Sequence, residues 1–233
     1  MYETKDRVAF SDIDSAGYLS IGGLIHKLQN CCSLQSEDVG YGLRWLSRRD
    51  MGWYIISWQI HIHRLPYMGE EILTKTMPYL FRGYFGNRNF TMEDANGEIL
   101  VEANSVWILM DIKNVIPARL PKEMVEAYGL DPALPIEWPD RKIPVPAERT
   151  KVYDFTVSPM HVDTNFHMSN SHYVEAAVAC LPRDMPVKEL YVEYKKQARL
   201  HDEIFVCMAE EDGTRTVSLE DKEKDAYACV VFR

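Results

Sequence analysis

The segment from Asp163 to Tyr173 carries polar side chains at spacings that suit chemistry on a carbonyl group. Asp163, Asn165 and His167 alternate along the chain, so in an extended segment they project from one face. Asn170 and Tyr173 follow at intervals of three, which is typical of the first turn of a helix. Together they offer a base, an orienting acid, an amide donor and the partly positive backbone N–H groups of a helix N-terminus. We therefore expect a catalytic site here.

Read as D-x-N-x-H-x-x-N-x-x-Y, this segment resembles the catalytic segment of the acyl-ACP thioesterases of plants and bacteria. A second stretch, residues 190–198, is similar to a later strand of that family. With the internal repeat described below, the resemblance covers nearly the whole chain. It implies an enzyme that hydrolyses the thioester of fatty acyl-ACP.

The second stretch departs from the family pattern, which usually has glutamate and cysteine where this chain has Gln197 and Ala198. Ala198 excludes a covalent cysteine mechanism at that position. The resemblance adds Gln197 to the catalytic set, but an amide orients a water or donates a hydrogen bond and does not accept a proton as a carboxylate does.

The mechanism that we expect is direct attack of water on the thioester carbonyl. Asp163 and His167 activate the water, and the sequence leaves open which of the two is the base. Asn165, Gln197 and the backbone N–H groups of residues 169–171 hold the water and stabilise the oxyanion. Asn170 and Tyr173 are expected at the bound substrate, with helix capping as the alternative for Asn170 and packing for Tyr173.

The chain also contains an internal repeat, in which residues 12–18 align with residues 161–167. The expected elements of the two halves are strands at 7–10 and 152–157, helices at about 20–39 and 169–180, and strands at 54–63 and 190–200. This order predicts an α+β tandem (double) hotdog fold, in which each half is an antiparallel sheet wrapped around a central helix.

A proline-rich stretch separates the two halves. Seven of the 12 prolines fall within residues 111–149, and proline is not compatible with the interior of a sheet. A short helix is expected at 121–128, ending at Gly129. We therefore predict an N-terminal hotdog over residues 1–110, a linker over 111–149 and a C-terminal hotdog over 150–233.

The two halves differ at the entrance to their helices. The residues that align with Asn165, His167 and Asn170 are Ala16, Tyr18 and Ile21. The acid alone is retained, as Asp14. This asymmetry predicts one catalytic half and one degenerate half that shapes an apolar pocket for the acyl chain. The pocket candidates are Ile21, Leu24 and Ile25, with ordinary core packing as the alternative for each.

The net charge of -9 argues against general binding to nucleic acid. Acyl carrier protein (ACP), the partner that the resemblance implies, is itself acidic, so a local basic patch is expected. The candidates are Lys195, Lys196 and Arg199, with Arg44, Arg48 and Arg49 as a second group. The alternative for both groups is solvated surface charge.

No metal or cofactor is expected. His61 and His63 share one face of a strand, but no third ligand of clear spacing accompanies them, and the chain has no phosphate-binding glycine loop. No apolar run approaches the length that spans a bilayer. Five scattered cysteines favour reduced thiols and a cytoplasmic location.

Three alternatives stay open at this stage. The nearest is an acyl-CoA thioesterase, because the carrier depends on a surface patch. The second is a non-catalytic acyl-binding hotdog protein, which the departure at Gln197 keeps open and the retained Asp163, Asn165 and His167 argue against. The third concerns assembly: the tandem repeat supplies a pseudo-dimer within a monomer, and edge strands can still pair two chains into a homodimer.

Overall fold

The computed structural model describes residues 1–182 and 185–233. They form two compact units, the first from residues 1–56 and 63–138 and the second from residues 57–62 and 139–233. The division falls within one long strand. It also divides the proline-rich stretch, since residues up to 138 belong to the first unit and the rest to the second.

The first unit is built on an antiparallel sheet. Its strands are β1 (Tyr2–Arg7), β2 (Met51–Ile62, of which residues 51–56 belong to this unit), β3 (Glu71–Arg82), β4 (Phe85–Asp94), β5 (Ile99–Asp111) and β6 (Ile116–Pro117). The order across the sheet is β1-β3-β4-β5-β2, with β6 paired to β5. The strand expected at residues 7–10 is wrong, because β1 ends at Arg7 and a 3-10 turn (Phe10–Asp12) follows.

The long helix of the first unit is α1 (Ile21–Asp38), within a residue of the expected limits. Ser20 caps it by accepting the N–H of Gly23 at 3.0 Å. The apolar side chains at helical spacing are buried, which places this helix at the centre of its unit. Two short helices follow, α2 (Leu43–Ser47) and α3 (Lys122–Tyr128), and α3 lies between Pro121 and Gly129 as expected.

The second unit repeats this plan. Its strands are β7 (Thr150–Thr156), β8 (Glu189–Tyr194), β9 (Glu203–Glu211), β10 (Thr214–Glu220) and β11 (Ala226–Phe232), and its helix is α4 (Asn170–Val178). Residues 57–62 of β2 begin the sheet, and the order continues β8-β11-β10-β9-β7, with antiparallel neighbours.

The strand expected over residues 190–200 ends early, at Tyr194. The N–H groups of Lys195 and Lys196 both approach the Tyr227 carbonyl, at 2.8 and 3.2 Å. Two residues facing one partner form a bulge, which ends regular pairing. Residues 195–199 therefore form a loop, which we call the 195–199 loop.

The part of the proline-rich stretch that belongs to the second unit, residues 139–149, makes a buried contact within that unit. Ile143 packs among side chains of β8 and β11, including Tyr191 and Cys229. Its N–H donates to the Glu193 carboxylate at 2.7 Å.

None of the helices among the described residues combines the length and apolar character needed to cross a membrane.

Candidate active site

The segment that carries Asp163, Asn165 and His167 is a closed turn, so the expectation of an extended segment is wrong. The Asp163 N–H donates to the His167 carbonyl at 2.9 Å, and the Phe166 N–H donates to the Asp163 carbonyl at 3.1 Å. The Asp163 carboxylate also accepts the Asn165 N–H at 2.7 Å. An aspartate that accepts backbone N–H groups from the next residues closes the chain on itself and competes with a strand.

The first unit contains the same turn. The Asp14 N–H donates to the Tyr18 carbonyl at 2.8 Å, and the Gly17 N–H donates to the Asp14 carbonyl at 3.1 Å. The Asp14 carboxylate accepts the N–H groups of Ala16 and Tyr18, at 2.9 and 3.1 Å. The acid that both halves retain is therefore needed by the turn itself, whatever chemistry the second copy performs.

His167 is half-buried where this turn meets the 195–199 loop. Its backbone pairs with Arg199, and the neighbouring Met168 N–H donates to the Ala198 carbonyl at 2.8 Å. Burial lowers the pKa of His167, the Arg199 guanidinium lowers it further, and the Asp163 carboxylate opposes both. The imidazole is thus mainly neutral at neutral pH, which is the form that accepts a proton.

Ser169, and not Asn170, is the N-cap of α4, so the capping alternative for Asn170 is wrong. Asn170 is the first helical residue. Within the described part of the chain, the Ser169 side chain makes no capping hydrogen bond, whereas Ser20 caps the equivalent helix of the first unit. The first turn of α4 therefore keeps the partly positive character of an uncapped helix N-terminus, which favours an anionic oxygen.

Tyr173 lies in the interior, with 2% of its surface exposed. Its hydroxyl accepts the Ala198 N–H at 2.8 Å. The Tyr194 hydroxyl donates to the Asn170 carbonyl at 3.0 Å, and the two tyrosine rings meet edge to face at 5.7 Å between centroids. The structure therefore favours the packing alternative for Tyr173, while a substrate contact by Asn170 stays a prediction.

Gln197 lies exposed in the 195–199 loop, next to the buried Ala198. The pairing of Ala198 with Met168 brings this loop to the turn of His167. The catalytic role of Gln197 stays a prediction, and an exposed amide suits contact with a water or a substrate from outside.

The basic residues of the 195–199 loop are partly neutralised by acidic neighbours. Lys195 forms an ion pair with Glu193. Lys196 forms one with Asp221, and its ammonium group lies over the Tyr227 ring at 4.4 Å from the centroid. Arg199 is exposed and supplies the positive charge that acts on His167. Contact of these residues with ACP stays a prediction.

A pair of histidines beside the turn, His161 and His172, was not predicted from the sequence. His172 Nδ1 lies 2.7 Å from the Glu175 carboxylate, and the rings of His161 and His172 lie 5.2 Å apart. The hydrogen bond to Glu175 raises the pKa of His172, while burial and then the charge on His172 lower the pKa of His161. The spacing of three between His172 and Glu175 on a helix was the available signal.

The pocket candidates of the first unit are all buried on α1. Ile21 is 8% exposed, and Leu24 and Ile25 are fully buried. Burial fits both core packing and a pocket wall, so their contact with an acyl chain stays a prediction.

Among the described residues, no group of three histidine, cysteine or acidic side chains is arranged to hold a metal ion.

Residues 1–128 match the family model described as the acyl-ACP thioesterase N-terminal domain. A chloroplastic acyl-(acyl-carrier-protein) hydrolase of Cuphea viscosissima is 27% identical over 161 residues, which cover 64% of this chain and 39% of that protein. The chain thus spans well under half the length of this curated relative.

Solved structures show the fold. An acyl-ACP thioesterase from Bacteroides thetaiotaomicron superposes with a TM-score of 0.89 at 22% identity, covering 99% of this chain and 96% of that one. The 12:0-ACP thioesterase from Umbellularia californica superposes with a TM-score of 0.83 at 16% identity, covering 100% and 96%. The predicted tandem hotdog architecture is confirmed.

Proposed function

Because the chain belongs to the acyl-ACP thioesterase family, we propose that it hydrolyses the thioester of fatty acyl-ACP to a free fatty acid and ACP. The observation that carries the proposal is the half-buried His167, whose pKa is lowered and which is held two residues before the Ser169 N-cap of α4. A neutral imidazole at a helix N-terminus combines a base with a site for a developing negative charge.

His167 is the base in this proposal. Its neutral imidazole takes a proton from a water molecule, and the resulting hydroxide attacks the thioester carbonyl carbon. The Asp163 carboxylate raises the pKa of His167, so it stabilises the imidazolium that forms. Asp163 also accepts the Asn165 N–H, which ties this carboxylate to the turn.

The tetrahedral intermediate carries a negative charge on the former carbonyl oxygen. The backbone N–H groups at the start of α4 stabilise that charge, since the Ser169 side chain makes no capping bond in the described part of the chain. The carbon–sulfur bond then breaks, and the imidazolium of His167 returns its proton to the departing thiolate of the carrier. The Asn165 and Gln197 side chains orient the water in this scheme.

The test is release of free thiol from a panel of acyl-ACPs of short to long chain. His167→Ala is compared with His26→Ala, which replaces an exposed histidine on α1. We expect hydrolysis by the wild-type protein and by His26→Ala, and a loss on the order of 10²-fold or more in folded His167→Ala.

Two outcomes contradict the proposal. Acyl-ACP that binds but is never hydrolysed by the wild-type protein favours the acyl-binding alternative. Faster hydrolysis of acyl-CoA than of acyl-ACP with the same acyl chain overturns the assignment of the carrier.

The cellular role in this proposal is release of fatty acids from fatty-acid synthesis in a reducing compartment such as the cytoplasm. The cysteines support this location, because Cys31, Cys32, Cys180, Cys207 and Cys229 are all free thiols. Fractionation of cells that express the protein, followed by immunodetection, tests it.

A further inference from the structure

Two tyrosines connect α4 to neighbouring segments, Tyr173 to the 195–199 loop and Tyr194 to the end of β8. We infer that Tyr173 and Tyr194 are positioning residues that fix His167 for the reaction, without themselves touching the reacting atoms. The inference rests on the proposed hydrolysis and adds to it the groups that hold the base in place.

The first connection runs from the helix to the loop. The Tyr173 hydroxyl accepts the Ala198 N–H at 2.8 Å, and the Ala198 carbonyl accepts the Met168 N–H, also at 2.8 Å. Tyr173 is 2% exposed and Ala198 is fully buried, so water does not readily replace a lost partner. Ala198 is thus held by α4 through its N–H and by the residue next to His167 through its carbonyl.

The second connection runs in the opposite direction, from the end of β8 to the helix. Tyr194 is the last residue of β8, and its hydroxyl donates to the carbonyl of Asn170, the first residue of α4. Burial raises the pKa of both Tyr173 and Tyr194, so both hydroxyls stay protonated in the pH range of enzyme assays. The two rings also pack edge to face, which restricts sliding of one element past the other.

These bonds act on His167 through a short chain of contacts. The backbone of His167 pairs with Arg199, and Met168 pairs with Ala198, so the loop and the turn share two adjacent pairings. A shift of the loop away from α4 therefore displaces His167. A misplacement of about 1 Å at a reacting group can cost about 10²-fold in rate.

The chain offers a matched control in Tyr153. Its hydroxyl donates to the Ala176 carbonyl at 2.6 Å, so it makes the same kind of bond to the same helix as Tyr194. Tyr153 lies on β7, and Ala176 lies six residues along α4 from Asn170. Loss of this hydroxyl removes a comparable stabilising bond without touching the 195–199 loop.

The experiment compares Tyr173→Phe, Tyr194→Phe and Tyr153→Phe, with kcat and KM measured on acyl-ACP at equal folded fraction. We expect Tyr173→Phe and Tyr194→Phe to lower kcat by about 10-fold, with KM within about twofold of wild type. Tyr153→Phe keeps the wild-type kcat, although all three variants lower the melting temperature.

Equal kcat values in the three variants overturn the inference, because the tyrosines then serve stability alone. If the wild-type protein hydrolyses no acyl-ACP, the proposed function fails, and the positioning role is judged by NMR titration of the His167 imidazole. Altered His167 resonances in Tyr173→Phe, with unaltered ones in Tyr153→Phe, support the role. Unaltered resonances in Tyr173→Phe contradict it.

Discussion

Gly17 and Phe166 occupy equivalent positions in two copies of one turn, and both have left-handed backbones, with φ of +88° and +62°. Glycine adopts this conformation freely, whereas an L-residue with a bulky side chain does so at a cost. Phe166 is also 82% exposed, so burial of its ring does not offset that cost. The second copy of the turn is therefore strained at the residue directly before His167.

Phe166→Gly is expected to stabilise the protein by up to about 1 kcal/mol. The left-handed backbone destabilises a non-glycine residue by about 1–2 kcal/mol, and glycine removes this strain. The greater conformational freedom of glycine in the unfolded chain offsets about half of that gain. Denaturant unfolding measures the change. Phe166→Ala is the control, since it removes the ring but keeps the strain, and a Phe166→Gly protein no more stable than Phe166→Ala contradicts the strain argument.

Asp163→Asn separates the charge of Asp163 from its role in the turn. The amide oxygen still accepts the Asn165 N–H, so we expect a free energy of unfolding within about 0.5 kcal/mol of wild type, whereas Asp163→Ala loses about 1 kcal/mol. Both variants are expected to lose kcat on the order of 10²-fold, because the imidazolium of His167 loses its neighbouring charge.

Asp14→Asn in the first unit is the control for that experiment, because Asp14 makes the same turn. It is expected to leave kcat unchanged. A wild-type kcat in Asp163→Asn means that the carboxylate serves the turn alone.

The pH dependence of kcat/KM follows from the lowered pKa of His167. The neutral imidazole is the base in the proposed mechanism, so we expect activity to rise as His167 loses its proton, with a midpoint below the ordinary value of about 6.5. Arg199→Gln removes a positive charge that disfavours the imidazolium, so it moves this midpoint to higher pH. Burial is the larger cause of the lowered His167 pKa, and it remains in this variant. The pKa is therefore expected to return only part of the way toward its ordinary value.

Lys195→Gln serves as the control for the pH profile. It removes an exposed cation from the same loop, where Lys195 is paired with Glu193. Its midpoint is expected to match that of wild type. A midpoint that moves to lower pH in Arg199→Gln contradicts the assignment of His167 as the base.

Leu24→Ala tests the acyl pocket of the first unit. Leu24 is fully buried on α1, so truncation is expected to cost about 2–5 kcal/mol of stability. If Leu24 lines the pocket, the added space moves the preferred acyl chain to greater length in a competition assay with mixed acyl-ACPs. Leu219→Ala in the second unit, equally buried, is the control with a comparable loss of stability and an unchanged preference. The same preference in both variants assigns Leu24 to core packing alone.

The elements that sequence patterns predicted well are those encoded locally. The apolar spacing of α1 and the Pro121 and Gly129 limits of α3 all lie within a few residues of the structure they determine. The internal repeat was also predicted from the sequence, because each half keeps the same order of elements.

Two of the wrong predictions, an extended segment at Asp163 and a strand to residue 200, have causes that the local sequence pattern does not contain. Alternation over Asp163, Asn165 and His167 is too short to distinguish a strand from a turn closed by one carboxylate. The early end of β8 depends on the Tyr227 carbonyl, and the Tyr173 bond reaches Ala198, 25 residues along the chain. Such contacts leave no periodic trace in the sequence.

The repeated turn has an evolutionary consequence. An aspartate stabilises both copies, because Asp14 and Asp163 each accept a backbone N–H of their own turn. In the proposed mechanism, chemistry adds a demand on the second copy alone. Mutation can therefore remove the proposed reactive side chains from one half while the stability of the turn still favours its aspartate, and at the positions of Asn165 and His167 the first copy has Ala16 and Tyr18.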